Sequence, residues 1–258
     1  GIVVDSAAAE SKKVADLVLL ERDLGVVAEG VREGRKAFAN ASKYIRIASS
    51  SNFGNICSVA AASAFLPFLP ATAAQLLVLN LSFDAVCLAI PWDNVDAEEV
   101  GSPKTWSGKG LGGFMGRFGL VSSAFDIITF AILFFGVCPA VCGAPFSALD
   151  EAGRALFVAL FQAGWLLECA WTESLVVLSL RTRHFGARTG RPCRLLRVMV
   201  PVMLAASALL LLGPASPCLG LASLPAWYLA VVALLSVLYL AVVAALKRAY
   251  LSRVGSLF

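Results

Sequence analysis

The chain has 258 residues, of which 59% are hydrophobic and 15% charged, with a net charge of +4 and a mean hydropathy of +0.81. Soluble domains run near 45–50% apolar and about 25% charged, so this balance excludes an ordinary soluble domain and indicates a polytopic membrane protein. The basic residues sit beside apolar segments without interleaved aromatics, which argues against a nucleic-acid partner.

In chain order, residues 1–5 read as a short strand and turn, 7–15 as a short helix and 16–20 as a second strand ahead of a polar helix. Two strands alone cannot bury a core, so this piece is expected to pair with sequence outside the chain, which begins on Gly1 and reads as a fragment. A membrane core about 30 Å thick takes roughly 20 helical residues. Six stretches meet that length, near 46–69, 72–91, 118–138, 155–180, 195–213 and 225–246. The fold class is therefore an all-α polytopic membrane protein with six transmembrane helices and a short α/β piece at its start.

The charges between the spans alternate. Arg32, Arg35, Lys36 and Lys43 precede the first span; Lys104, Lys109 and Arg117 follow the second; Arg181, Arg183, Arg188, Arg191 and Arg194 follow the fourth; Lys247, Arg248 and Arg253 close the chain. The other three connections hold only Arg154. The positive-inside rule places both termini in the cytoplasm.

Two polar islands interrupt the first two spans: Ser51-Asn52-Phe53-Gly54-Asn55 and Asn80-Leu81-Ser82-Phe83-Asp84. A carboxylate near mid-bilayer costs roughly 2.5–3.5 kcal/mol on insertion scales, so one kept there beside amides indicates a bound cation. Asn52 and Asn55 are three apart, and Asn80 and Asp84 four apart, so each pair shares a helix face. An antiparallel hairpin of the two spans brings those faces together around oxygen ligands, which suit a hard cation such as Mg²⁺. Gly54 permits either close helix approach or local unwinding, and Pro67 and Pro70 end the first span. Intramembrane Asn and Ser also serve as plain helix bridges.

Further along, Gly110 to Gly116 reads as a flexible entry to the third span, since it lacks the strand and helix context of a phosphate loop. Asp126 reads as a cap or helix bridge without a ligand role. Glu168 and Glu173, five apart in the fourth span, can each add an oxygen. The seven cysteines make no metal-finger spacing, though Cys138, Cys142 and Cys218 face one side and leave a disulfide open. His184 and the arginines beside it, with Lys247 and Arg248, read as a surface facing anionic lipid. Trp106, Trp165, Trp171 and Trp227 read as anchors or packing residues. No nucleophile, flavin or nicotinamide motif is present, so neither catalytic nor cofactor-binding residues are expected.

Several strings carry a family resemblance. Val4-Asp5-Ser6, Ala15-Asp16-Leu17-Val18-Leu19-Leu20-Glu21 and Glu29-Gly30-Val31-Arg32-Glu33-Gly34-Arg35 resemble the end of the phosphorylation domain of P-type cation ATPases and its lead into the fifth membrane helix. Tyr44-Ile45 through Asn55 looks like that fifth helix, and Asn80 to Asp84 like the sixth. Pro91-Trp92-Asp93, Phe125-Asp126-Ile127 and Phe161-Gln162-Ala163-Gly164-Trp165 are similar to the bacterial magnesium-transporting branch.

The resemblance implies a division into residues 1–38, the end of the phosphorylation domain and start of a stalk, and 39–258, a cation-transport domain corresponding to the fifth to tenth helices. It implies metal ligands at Asn52, Asn55, Asn80, Asp84 and Glu168, the last where the family's eighth helix can contribute a carboxylate. Calcium pumps of the family carry Glu at the position of Asn55 and Thr at that of Phe83, so the present site holds fewer ligands and less charge. Its transported ion is then Mg²⁺, moved into the cytoplasm across a bacterial inner membrane. The family's phosphorylated Asp-Lys-Thr-Gly string and its nucleotide domain do not occur here, so ATP and catalytic Mg²⁺ act only through a missing N-terminal portion, and the chain alone is inactive. The expected partners are that portion, membrane lipid and the cation. The competing reading is a stand-alone, non-enzymatic membrane protein, either a passive cation pathway or an assembly subunit.

Overall fold

The computed structural model describes residues 1–21, 23–105, 108–185, 190–255 and 257; Trp106 and Arg188 lie outside the described residues. The β-branched and leucine triplets at the start form β1 (Ile2–Val4) and β2 (Leu17–Leu19), paired in parallel with Val3 opposite Val18. The connection between them contains α1 (Ala9–Val14), as the sequence predicts.

From Asp23, whose carboxylate caps the amide of Gly25 at 2.8 Å, the 42-residue α2 (Leu24–Phe65) runs without a break. It stops where Leu66 turns extended ahead of Pro67. The return helix α3 (Ala73–Cys87) opens with a capping box between Thr72 and Gln75. A 3-10 turn (Ile90–Trp92) and the short α4 (Ala97–Val100) lead to α5 (Gly108–Ile132). One π-helical turn, Leu133–Val137, joins α5 to α6 (Cys138–Cys142), which ends at Gly143 with φ +79°. The remaining helices are α7 (Glu151–Leu180), α8 (Arg194–Leu212) and α9 (Tyr228–Val254).

Among the described residues, five segments are long and apolar enough to cross a membrane: Ala73–Trp92, Gly110–Cys142, Glu151–Leu180, Arg194–Leu212 and Tyr228–Val254. They correspond to the second to sixth expected spans. The half of α2 expected as the first span is not among them, because Ser49, Ser50, Ser51, Asn52 and Asn55 dilute its apolar residues. The glycine-rich run 110–116, expected to be flexible, is instead the beginning of α5. The packing of α5 along α2 outweighs the entropy that helical glycines lose.

The helix α7 is central: 67% of its apolar stretch is buried, against 22% to 39% in the other four spans. Two apolar cores lie along it. One gathers Ile47, Phe83, Phe118, Phe125, Val177 and Tyr239; the other gathers Ala62, Phe130, Leu133, Phe161, Trp165 and Tyr228. Between them α2, α5 and α7 contribute a polar layer of Ser51, Asn55, Ser58, Asp126, Thr129, Glu168, Thr172 and Glu173, all buried.

Two polar clasps fix the helix ends around this layer. At the α2–α3 turn, Gln75 Nε2 donates to Gln162 Oε1 and to the Leu219 carbonyl, each at 3.1 Å, while Gln162 Nε2 donates to the Leu69 carbonyl at 3.0 Å. At the opposite end the buried Asp93 accepts from Arg181 Nε at 2.9 Å, from the Cys193 amide at 3.1 Å and from Lys43 Nζ at 3.4 Å. Asn40 reinforces the second clasp by donating to the carbonyls of Pro91 and Asp93 at 3.0 Å. Arg181 and Lys247, read from sequence as part of a lipid-facing surface, are turned inward: Lys247 Nζ donates to the carbonyls of Ser179 and His184. His184 faces Glu98 at 3.5 Å. All seven cysteines are free thiols, so the disulfide left open by the sequence is not formed.

Candidate cation site

Ser51, Asn55 and Ser58 fall at i, i+4 and i+7 of α2 and so form one stripe. The stripe meets two carboxylates. Ser51 Oγ and Asn55 Nδ2 both donate to Glu173 Oε1, at 2.8 and 2.9 Å. Ser58 Oγ donates to Asp126 Oδ2 at 2.5 Å. On its other oxygen Asp126 accepts from Trp165 Nε1 at 3.0 Å and from Cys169 Sγ at 3.4 Å. Asp126, Glu168 and Cys169 each bring one ligand atom to within 4.8 Å of the others.

Close backbone approach makes this possible. A Cβ on Gly54 would stand 3.0 Å from the Gly119 carbonyl, so α2 and α5 touch at a glycine pair, and Ser123 Oγ donates to the Gly54 carbonyl at 2.8 Å. Of the two roles open to Gly54, close approach is the one observed, within an unbroken helix.

The polar layer holds Asp126, Glu168 and Glu173, and among the described residues none of the three forms an ion pair with Lys or Arg. Carboxylates without a cationic side chain suit a site whose positive charge comes from elsewhere.

On the α3 side an open groove is lined by Asn52, Asn55, Asn80, Ile56, Val59 and Leu76. Three of the five residues expected as ligands, Asn52, Asn55 and Asn80, thus converge as the hairpin argument requires. Asn55 belongs to both settings, since it lines the groove and donates to Glu173. A carboxylate can only accept, so the Asn55 NH₂ must face Glu173 and its carbonyl oxygen is left for another partner. Asp84 is not in this groove; it lines a neighbouring recess with Tyr44, Asn40 and Cys87, and its side chain is exposed. Glu168 is buried on α7 beside Asp126, apart from the groove lining. The expected set is thereby spread over three adjoining places.

Sequence reading gave no site role to Ser58 or Trp165, whose hydrogen bonds hold Asp126. The signal for Ser58 was its seven-residue offset from Ser51 on the same helix face. Trp165 carried no such signal, because an indole in an apolar span reads as packing. Asp126 is the helix bridge the sequence allowed, linking α5 to α2 and α7.

A family model described as "Cation transporting ATPase, C-terminus" matches residues 68–249. The chain is 41% identical over 244 residues to "Magnesium-transporting ATPase, P-type 1" of Salmonella typhimurium strain LT2, an alignment covering 92% of this chain and 25% of that protein. It is 38% identical over 237 residues to the protein of the same name from Escherichia coli K12, covering 90% of this chain and 25% of the relative. The chain therefore spans about a quarter of the length of these relatives. On this match, with its spans and its intramembrane polar layer, the chain belongs to the C-terminal family of the cation-transporting ATPases.

Proposed function

We propose that the chain is the C-terminal membrane part of an ATP-driven P-type pump that carries Mg²⁺ into the cytoplasm. The observation that supports this most is the open amide groove of Asn52, Asn55 and Asn80, backed by a buried layer of carboxylates that, among the described residues, have no cationic partners. Asp84 in its neighbouring recess and the buried Glu168 complete the proposed set with carboxylate oxygens. Amide and carboxylate oxygens in small number suit Mg²⁺, which keeps several waters and takes one or two carboxylates. The names of the two relatives agree with this ion.

ATP and catalytic Mg²⁺ act on cytoplasmic domains outside these 258 residues. Residues 1–38 close the phosphorylation domain and start the stalk; 39–258 form the transport domain, with residues 46–65 of α2 as its first crossing. Because α2 is continuous from stalk to site, it transmits a movement of those domains to Asn52 and Asn55. The other membrane helices of the pump cover Asn52, Asn80 and Asp84, whose side chains face away from this chain's own core. Lipid covers the outward Val198, Val202, Leu234 and Val237 of α8 and α9. The loop charges orient both termini to the cytoplasm of a bacterial inner membrane.

The test is ATPase activity of the full-length gene product reconstituted in lipid, at controlled free Mg²⁺, Ca²⁺ and Ni²⁺, with the 258-residue chain beside it. Turnover stimulated by Mg²⁺ in the full-length protein alone is the expected result. No turnover in either, with a cation leak through the chain, would overturn the pump reading.

A further inference from the structure

Among the described residues, Glu173 Oε2 is the only carboxylate oxygen buried without a hydrogen-bond partner. Its sister oxygen is fully engaged by Ser51 and Asn55, and the whole residue is 4% exposed. A carboxylate oxygen buried without a donor in a low-dielectric interior is costly. The same side chain stands directly behind Asn55, which lines the amide groove. Asp126 differs, because both of its oxygens accept hydrogen bonds.

We propose that Glu173 is itself a cation ligand, forming with Ser51 and Asn55 an inner position for the divalent ion one side chain deeper than the Asn52–Asn80 groove. This deepens the pump reading and rests on it. Three oxygens are available there. Asn55 spends its NH₂ on Glu173 and keeps its carbonyl oxygen; Ser51 spends its hydroxyl hydrogen and keeps lone pairs; Glu173 Oε2 has no donor. The set has one carboxylate, no thiolate and no imidazole, which selects a small hard divalent cation that retains some of its waters. Asn55 belongs to both the groove and the inner position, so a short shift carries the ion from one to the other.

The experiment uses the full-length pump in lipid nanodiscs, without nucleotide, titrated with Mg²⁺ by calorimetry. Glu173→Gln keeps the shape and removes the charge, and Ser51→Ala keeps the carboxylate. The expected result is an Mg²⁺ affinity weakened about tenfold in Glu173→Gln and by less than about threefold in Ser51→Ala. Magnesium also raises the melting temperature of Glu173→Gln less than that of the wild type. If Glu173→Gln does not insert, Glu173→Asp carries the comparison, with a loss between those of the other two variants. A wild type that saturates beside a Glu173→Gln within twofold of it overturns the inference and leaves the pump reading standing. The same holds if only the magnesium-free melting temperature moves, since that marks a structural hydrogen bond. A wild type with no saturable Mg²⁺ binding overturns the pump reading and this inference with it.

Discussion

Gly119 packs against Gly54 so closely that a Cβ at position 119 would stand 2.8 Å from the Ser50 carbonyl oxygen and 3.3 Å from the Gly54 amide nitrogen. Both obstacles are backbone, which cannot rotate away. The contact sets the distance between α2 and α5, and hence the 2.5 Å hydrogen bond between Ser58 and Asp126.

Gly119→Ala should therefore cost about 1–3 kcal/mol as an overpacked contact, seen as a lower melting temperature of the detergent-solubilised protein by fluorescence-detected gel filtration. Gly116→Ala is the control. Nothing lies within 4 Å of a Cβ there, so it should leave stability unchanged or raise it through helix propensity.

Asp93 holds two buried cations, Lys43 and Arg181, together with the amide of Cys193. Asp93→Ala should cost roughly 3–5 kcal/mol, because it strands buried charge. Lys43→Met should cost far less, since it leaves the Arg181–Asp93 pair intact. Burial holds the Lys43 ammonium below the ordinary lysine value of 10.5, with Asp93 opposing that shift. The unfolded chain then binds more protons than the folded one between the two values, so stability gained from this group rises with pH across that window. Thermal melts of wild type and Lys43→Met from pH 8 upward should converge if this sign is wrong; the expected wild-type advantage grows with pH.

The sequence made the helices legible and left their partners obscure. Period and length marked the spans to within a few residues at most ends, because lipid demands about 20 apolar residues whatever the fold. The two N-terminal strands were readable from their β-branched and leucine content. The polar stripe of α2 could be seen, but its partners could not: Asn55 and Glu173 are 118 residues apart, and nothing local chooses Glu173 over Glu168 as the partner. The same limit hid the inward turn of Arg181, whose partner Asp93 is 88 residues away. The start of α5 is not legible locally, because its glycine content indicates flexibility whereas the helix is held by tertiary contact with α2.

Cysteine reactivity reports both burial and orientation. Cys218 is exposed in the α8–α9 connection, whereas Cys87, Cys138 and Cys169 are buried. A membrane-impermeant maleimide applied to intact spheroplasts should label Cys218 rapidly and the buried three not at all, read by mass spectrometry after quenching. Labelling of Cys218 only after lysis would reverse the orientation drawn from the loop charges.

Asp84 and Asp126 lie in different surroundings, and the same chemical change should separate transport from folding. Among the described residues, Asp84 makes no hydrogen bond that ties it to this chain's packed core, and it lines a recess beside Tyr44, so Asp84→Asn, which keeps the side chain's shape, should leave the stability of the full-length pump within about 1 kcal/mol of wild type. It should abolish Mg²⁺ uptake, because the proposed ligand set loses the carboxylate of its neighbouring recess. Asp126 is buried and accepts from Ser58, Trp165 and Cys169. An Asn there keeps one accepting oxygen where the carboxylate offers two to Ser58, Trp165 and Cys169, so Asp126→Asn should cost about 1–3 kcal/mol through the lost acceptor. Uptake of Mg²⁺ into proteoliposomes, measured beside the melting temperature of each variant, distinguishes the two. Normal uptake by a correctly inserted Asp84→Asn pump would remove Asp84 from the ligand set, and an unshifted melting temperature for Asp126→Asn would show that the polar layer does not support the fold.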